Sequence, residues 1–283
     1  MSRPVALVTG ASRGVGQGIA LGLGEAGWTV YVTGRGPASP GAPLATTADR
    51  VTAVGGDGIA VVCDHRDDEA VAALVDRCVA EQGHLDVLVN NVWAGPAIAA
   101  EEPPFWERPL AEWDDLVGLG LRAHWVASTA ACRHMVARGS GLVVNVSSFG
   151  ARGYLHSVLY GVAKAGLDKM THDMARELLP HGVAALSLWP GLVRTDALLS
   201  RGIEQVAGVP VAEGESPQLQ GRVVRALAED PDLMQLSGQA VVTAEAAVRY
   251  GLAEPGGHIP PSLRHLFGGG PLFGPMAPVR RES

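Results

Sequence analysis

The sequence predicts an α/β fold, a single doubly wound parallel sheet of about seven strands with helices on both faces. Three observations carry this. Short apolar runs alternate with helix-period stretches from Val5 to about Trp189. The runs are almost continuously apolar, which suits strands covered on both faces rather than strands with one wet side. The first run also ends in a glycine-rich turn that opens directly into a helix pattern. With right-handed crossovers, such units wind the sheet both ways from its centre.

Val5–Thr9 is a β-rich run, closed by Gly10-Ala11-Ser12-Arg13-Gly14-Val15-Gly16. Ile19, Leu23 and Ala26 then share one helix face, and Gly27 ends it. Trp28–Thr33 is the second strand, and Gly34 to Pro43 is a Gly/Pro-rich loop. The pattern continues with a helix at 44–55, strand Gly58–Cys63, helix 67–82 and strand Leu85–Asn90. Gly95 to Pro109 holds four prolines with Phe105 and Trp106, and reads as a rigid loop with aromatic anchors. A long helix follows at 111–138, then strand Leu142–Val146, a helix at 157–179 and strand Val183–Trp189. Gly191 to Pro217 is a connection long enough to cover a cleft. Residues 1–252 are expected to form one domain, and residues 253–283 an irregular Gly/Pro-rich tail packed on a neighbouring subunit.

Composition removes several classes. The chain has 283 residues, 47% hydrophobic, with net charge −7 and no basic run, so neither nucleic acid nor an anionic membrane is an expected partner. No apolar run reaches about 18 residues, and the N-terminus lacks a signal-peptide pattern. Cys63, Cys78 and Cys132 are an odd, widely spaced set in apolar contexts, as reduced thiols in a cytoplasmic protein would be. No Cys or His pair has zinc-ligand spacing, so no metal is expected.

The turn at Gly10, Ser12, Arg13, Gly14, Val15 and Gly16 is a candidate phosphate cradle. Glycines let backbone approach a pyrophosphate, and the free N–H groups of the next helix stabilise the anion. The second strand ends Thr33-Gly34-Arg35 without the acid that would hold a ribose 2′-hydroxyl. Arg13 and Arg35 suit a 2′-phosphate instead, so NADP(H) is expected rather than NAD(H). Asp64, after the third strand, could accept from the adenine amino group or cap the next helix. Tyr160 and Lys164 stand one turn apart on one helix face, where the ammonium would favour the phenolate and lower the Tyr160 pKa. That pair can exchange a proton with a carbonyl/alcohol couple, and a hydroxyl from Ser147 or Ser148 could hold the same oxygen.

Together, Thr9 to Gly16, Asn90-Asn91-Val92-Trp93-Ala94-Gly95, Asn145-Val146-Ser147-Ser148, Tyr160 to Lys164 and Pro190 to Thr195 resemble the short-chain dehydrogenase/reductase family over about residues 4–200. Phe105-Trp106-Glu107, Trp113-Asp114-Asp115, Gly120-Leu121-Arg122 and Arg249-Tyr250-Gly251-Leu252 extend the likeness to one branch of that family. The resemblance implies a Rossmann-type sheet, Tyr160 as acid/base, Lys164 on the nicotinamide ribose, and Asn90 and Asn91 lining the cofactor and bracing the sheet. Pro190, Gly191, Val193 and Thr195 would hold the carboxamide end of the nicotinamide, and two long Ala/Gly-rich helices would make a homodimer or homotetramer. Counting from Asn145 makes Ser148 the substrate-holding serine, whereas counting back from Tyr160 makes it Ser147; Ser148 is preferred. Two departures stand out. Val92-Trp93 lengthens the second motif, and Gly120 replaces the family's Asn of the proton relay.

Trp93, Phe105, Trp106, Tyr154, His156 and residues 192–199 are the candidate pocket wall. They suit an apolar ketone or aldehyde, and the branch resemblance adds steroid-like ketones. The expected reaction is hydride transfer between NADP(H) and the carbonyl/alcohol carbon. Two alternatives stand beside it: an NADP(H)-binding regulator with little turnover, and a 3-oxoacyl-type reductase.

Overall fold

The computed structural model describes residues 2–94, 103–206 and 208–267. The predicted alternation is present as β1 (Val5–Val8), α1 (Gly14–Gly24), β2 (Thr29–Gly34), α2 (Pro43–Ala53), β3 (Asp57–Val62), α3 (Asp68–Gln82) and β4 (Val87–Asn90). After a π-helical turn at Asp114–Arg122 come α4 (Ala123–Arg138), β5 (Gly141–Val146), α5 (Val158–Leu178) and β6 (Val183–Trp189). Then follow α6 (Asp196–Leu199), the hairpin strands β7 (Gln205–Val206) and β8 (Val209–Pro210), α7 (Pro217–Glu229) and α8 (Leu233–Leu236). The series ends with β9 (Ala240–Val242), α9 (Thr243–Arg249) and α10 (Arg264–Phe267).

Seven parallel strands make one sheet in the order β3-β2-β1-β4-β5-β6-β9. The order reverses between β1 and β4, so the crevice at the carboxyl ends of the strands opens there. Successive side chains alternate faces. Ala6, Val8, Val30 and Val32 pack with Ile19 and Leu23 of α1, Val51 of α2 and Leu219, Val223 and Leu227 of α7. Val5, Leu7, Tyr31 and Val143 pack on the opposite face with Val71 and Val75 of α3, Ala127 and Ala131 of α4 and Ala175 of α5. Each buried aliphatic side chain of this size contributes about 1.5–3 kcal/mol. Caps mark the helix ends: Asp67 accepts from the Glu69 and Ala70 amides at the start of α3, and Ser157 from the Tyr160 amide at the start of α5.

Several sequence expectations need correction. The helix expected over 111–138 is two windings, because Asp114–Arg122 is wider than an α-helix. That stretch carries Gly118 and Gly120, which weaken α-winding. Ion pairs from Arg66 to Asp115 and from Arg122 to Asp68 tie it to the β3–α3 region. Phe105 and Trp106 are not anchors, since Trp106 is 72% exposed and Phe105 is exposed beside it. The rest of that loop, 95–102, lies outside the described residues, as does the tail beyond 267. The described part of the tail packs on its own chain: Glu254 is buried, and Leu263 rests against Phe149, Trp189, Val242 and Ala244. Cys63, Cys78 and Cys132 are free, and burial pushes their thiols up, to about 11 for Cys63 and Cys132. No described helix is long and apolar enough to cross a membrane, and the described residues hold no group of three or more His, Cys, Asp or Glu that could bind a metal.

Candidate active site

The loops after β1, β4, β5 and β6 converge at the crevice. In the first, a Cβ on Gly16 would collide with the Asn91 amide and the Gly10 carbonyl oxygen. Gly10 itself has φ +64 and leaves no room for a side chain against the Val92 backbone. Asn91 tightens the turn by donating its Nδ2 to the Thr9 and Gly10 carbonyls at 3.1 and 3.0 Å. Thr9 Oγ1 accepts the Asn91 and Val92 amides at 2.9 and 3.1 Å. The start of α1 has no side-chain cap and no acid in its first turn, so its amides are left for an anion.

Arg13 and Arg35 are both exposed, beside loops that touch: the Ala11 amide donates to the Thr33 carbonyl at 2.8 Å. Asp64 is exposed and accepts the Arg66 amide at 3.1 Å, so its helix-cap alternative falls to Asp67. Asn90 is a sheet brace. It is fully buried, and its Nδ2 donates to Ser128 Oγ and Asn145 Oδ1, both at 2.9 Å. Val15 packs on the core at the start of α1. Pro190, Gly191 and Thr195 are half-buried in the turn after β6, Val193 is buried, and Thr195 caps α6.

The two serines separate cleanly. Ser147 is buried and donates to the Lys164 carbonyl oxygen at 3.4 Å. Ser148 stays half-buried, and the Tyr160 hydroxyl donates to its Oγ at 2.9 Å. Gly150 makes the approach possible, because a Cβ there would strike the Tyr160 ring. Lys164 Nζ donates to the Val146 carbonyl at 2.8 Å and stands 5.8 Å from the Tyr160 ring centre. Trp93 meets that ring edge-on at 6.3 Å, and His156 at 4.8 Å. His156 is the one described non-glycine residue with positive φ, at +61°. Tyr154 is 78% exposed.

Burial dominates the electrostatics. It pushes the Tyr160 phenol up, against the lowering hydrogen bond to Ser148. The net lowering expected from Lys164 is therefore corrected: burial outweighs it, and the ammonium, which donates to a carbonyl, is itself pushed down to about 8 by burial. Asp168, one turn beyond Lys164, moves the lysine back up. Burial raises Asp168 to about 6, while the hydroxyls of Ser187 and Ser147 and the Trp189 indole pull it down, the indole N–H donating at 3.0 Å. Sequence reasoning missed Asp168, although Tyr160, Lys164 and Asp168 recur every four residues on α5. It also missed His124, whose Nε2 meets the Val92 carbonyl at 2.9 Å and which burial holds neutral, down at about 3. A Cβ on Gly120 would lie 3.5 Å from Trp93 Cδ1, so the indole fills the space beside the missing relay Asn.

A sequence model of the family described as short chain dehydrogenase matches residues 4–204. Human dehydrogenase/reductase SDR family member 1 is 42% identical over 266 residues, 90% of this chain and 84% of the relative; this is the branch whose motifs the sequence resembles. A 3-oxoacyl-[acyl-carrier-protein] reductase of Synechocystis is 31% identical, covering 84% of this chain and 94% of its own. A crystal structure of a metagenomic short-chain oxidoreductase in complex with NADP superposes with TM-score 0.68 at 30% identity, over 85% of this chain and 96% of that one.

Proposed function

The chain belongs to the short-chain dehydrogenase family, and from that premise we propose that it is an NADP(H)-dependent reductase of an apolar ketone or aldehyde, with Tyr160, Ser148 and Lys164 as its catalytic residues. The observation that carries the reading is the 2.9 Å hydrogen bond from the Tyr160 hydroxyl to Ser148 Oγ, with the Lys164 ammonium beneath the ring.

The residues fit a nicotinamide dinucleotide. The glycine-rich cradle at Gly10–Gly16 and the uncapped start of α1 suit the pyrophosphate. Arg13 and Arg35, without a nearby acid on β2, suit a 2′-phosphate. The turn at Pro190, Gly191, Val193 and Thr195 suits the carboxamide. When bound, the nicotinamide supplies or accepts the hydride. The protein supplies the rest. Ser148 holds the carbonyl oxygen, and Tyr160, still protonated at neutral pH because burial raises it, donates to that oxygen as charge develops. The Lys164 charge, 5.8 Å from the ring centre, would stabilise the resulting phenolate, and its ammonium would hold the nicotinamide ribose when the cofactor is bound. A general acid of this kind is worth about 10²–10⁴-fold in rate. Trp93 and His156, flanking Tyr160, form the walls that receive the substrate.

The similarity to a 3-oxoacyl reductase favours one second reading, reduction of a 3-oxoacyl thioester. Arg122, Arg133 and Arg138 are too scattered to form an acidic carrier's dock, and Arg122 and Arg138 are engaged by Asp68 and Asp86. Nucleotide fluorescence titration followed by turnover of ketones, aldehydes and 3-oxoacyl thioesters tests both. The proposal expects tighter NADPH than NADH binding and faster turnover of apolar ketones. A preference for NADH removes the role given to Arg13 and Arg35, and exclusive thioester turnover favours the second reading.

A further inference from the structure

Behind the turn that follows β6 lies a carboxylate that no step above uses. Glu215, next to the cap of α7, is 1% exposed. Its Oε2 accepts the Gly191 amide at 3.0 Å and Gln220 Nε2 at 2.6 Å. Its backbone clasps the same turn from both sides. The Glu215 amide donates to the Leu192 carbonyl at 2.7 Å, and the Arg194 amide donates to the Glu215 carbonyl at 2.8 Å. Gln220 is held in turn by Thr243, whose Oγ1 donates to Gln220 Oε1 at 2.5 Å. The packing is close enough that a Cβ on Gly191 would lie 2.7 Å from Glu215 Oε1. Buried carboxylates are normally retained with a cation. Here the nearest candidate, Arg194, pairs with Glu254 at 3.6 Å instead. The partners of the Glu215 carboxylate are thus neutral amides, one of them in the backbone of the turn itself.

We propose that Glu215 is a positioning residue that fixes the turn from Gly191 to Thr195 in the shape that receives the nicotinamide carboxamide. The proposal rests on the reading of that turn given under Proposed function. The carboxylate ties the turn to α7 and, through Gln220 and Thr243, to the start of α9. The nicotinamide end of the site is thereby braced from below, while the adenylate end depends on other loops.

Several groups face Glu215. Gly191 and Ala244 present backbone amides, Gln220 its side chain, and Glu254 a second buried carboxylate from beyond α9. Arg194 lies on the turn, and Arg222 of α7 pairs with Glu25, the residue that caps the end of α1. Burial raises Glu215 to about 7, the Gln220 and Gly191 donors pull it down, and Glu254 raises it further. Above about pH 7 the group is ionised and is the stronger acceptor for Gly191; below that it is a neutral acid and holds the turn less firmly.

The test uses the full chain and calorimetric titration with two probes, NADPH and adenosine 2′,5′-bisphosphate. Both carry the 2′-phosphate, but only NADPH reaches the turn. Glu215→Ala is expected to weaken NADPH about tenfold or more, as misplacement of a binding element does, while bisphosphate affinity holds within about twofold. Glu215→Gln keeps an oxygen for Gly191 and is expected to retain NADPH affinity within about threefold. As the pH is lowered from about 8 to 6, the NADPH-to-bisphosphate affinity ratio of the wild type should fall relative to that of Glu215→Gln, in which every other titrating group is the same. Should Glu215→Ala not fold, this pH comparison decides alone. Equal loss of both probes, no loss of either, or an unchanged pH slope in Glu215→Gln overturns the proposal. A wild-type chain that binds NADPH no better than the bisphosphate overturns the reading of the turn itself, and so separates the two failures.

Discussion

Tyr160, Ser148 and Lys164 meet because three backbone facts coincide: β5 ends just before Ser147, Gly150 carries no side chain, and Ser157 caps α5 one turn before Tyr160. Tyr160→Phe should lower turnover by about 10²–10⁴-fold and leave NADPH affinity within about threefold. Ser148→Ala should cost about tenfold or more in kcat. Ser147→Ala should cost far less kcat than Ser148→Ala and lower stability by about 1 kcal/mol in urea unfolding, since it removes a buried hydroxyl that bonds the Lys164 carbonyl and supports the Asp168 carboxylate. Lys164 is held near 8 with help from Asp168, and reduction needs the lysine charged, so kcat should fall as pH rises through about 8. Asp168→Asn removes the group that raises Lys164, so this limb of the pH–rate profile should move to lower pH. The Tyr–Lys pair was legible because a four-residue spacing has only one meaning on a helix. The serine was not: two counts differed by one residue, and only the inward turn of Ser147 after β5 separates them. The direction of the Tyr160 shift was not legible either, because it depends on burial and on where the ammonium points.

At the scale of elements, the sheet and most helices could be read from periodicity, because continuously apolar runs and capping residues are local signals. The winding of 114–122 could not, since an apolar pattern does not distinguish a π-turn from an α-turn, although Gly118 and Gly120 marked a weak helix. The edge strand β9 has three residues, too few for a pattern, and exists through its pairing with Ser187–Trp189. Two glycines in this part of the fold should behave oppositely. A Cβ on Gly120 meets only ordinary contacts, so Gly120→Ala should leave stability unchanged or raise it by up to about 1 kcal/mol, measured by thermal unfolding. A Cβ on Gly150 strikes the Tyr160 ring, so Gly150→Ala should reduce kcat about tenfold or more while the chain stays folded by circular dichroism.

For the whole molecule, the net charge of −7 and the absence of a basic run leave a small carbonyl compound as the expected partner of the crevice. The exterior was less legible than the core. Trp106, Phe105 and Trp113 are all exposed, because a composition rule cannot tell a loop aromatic that anchors from one that faces outward. Trp125 on α4 is also exposed, above a cleft lined by Cys132, Met174 and Leu178 on the α4 and α5 faces expected to pair two subunits. Trp125→Asp should lower the molar mass measured by light scattering to that of one chain, 29.3 kDa, whereas an unchanged oligomer would place the contact elsewhere. The central claim, that this fold exists to pass a hydride to a carbonyl with Tyr160 as its acid, is tested most directly by following NADPH consumption and alcohol formation across a panel of apolar ketones, with Tyr160→Phe beside the wild type. The account predicts stoichiometric conversion by the wild type and a loss of at least about a hundredfold in the variant, with NADPH still bound. Equal turnover by the two proteins, or tight NADPH binding with no turnover by either, would contradict it.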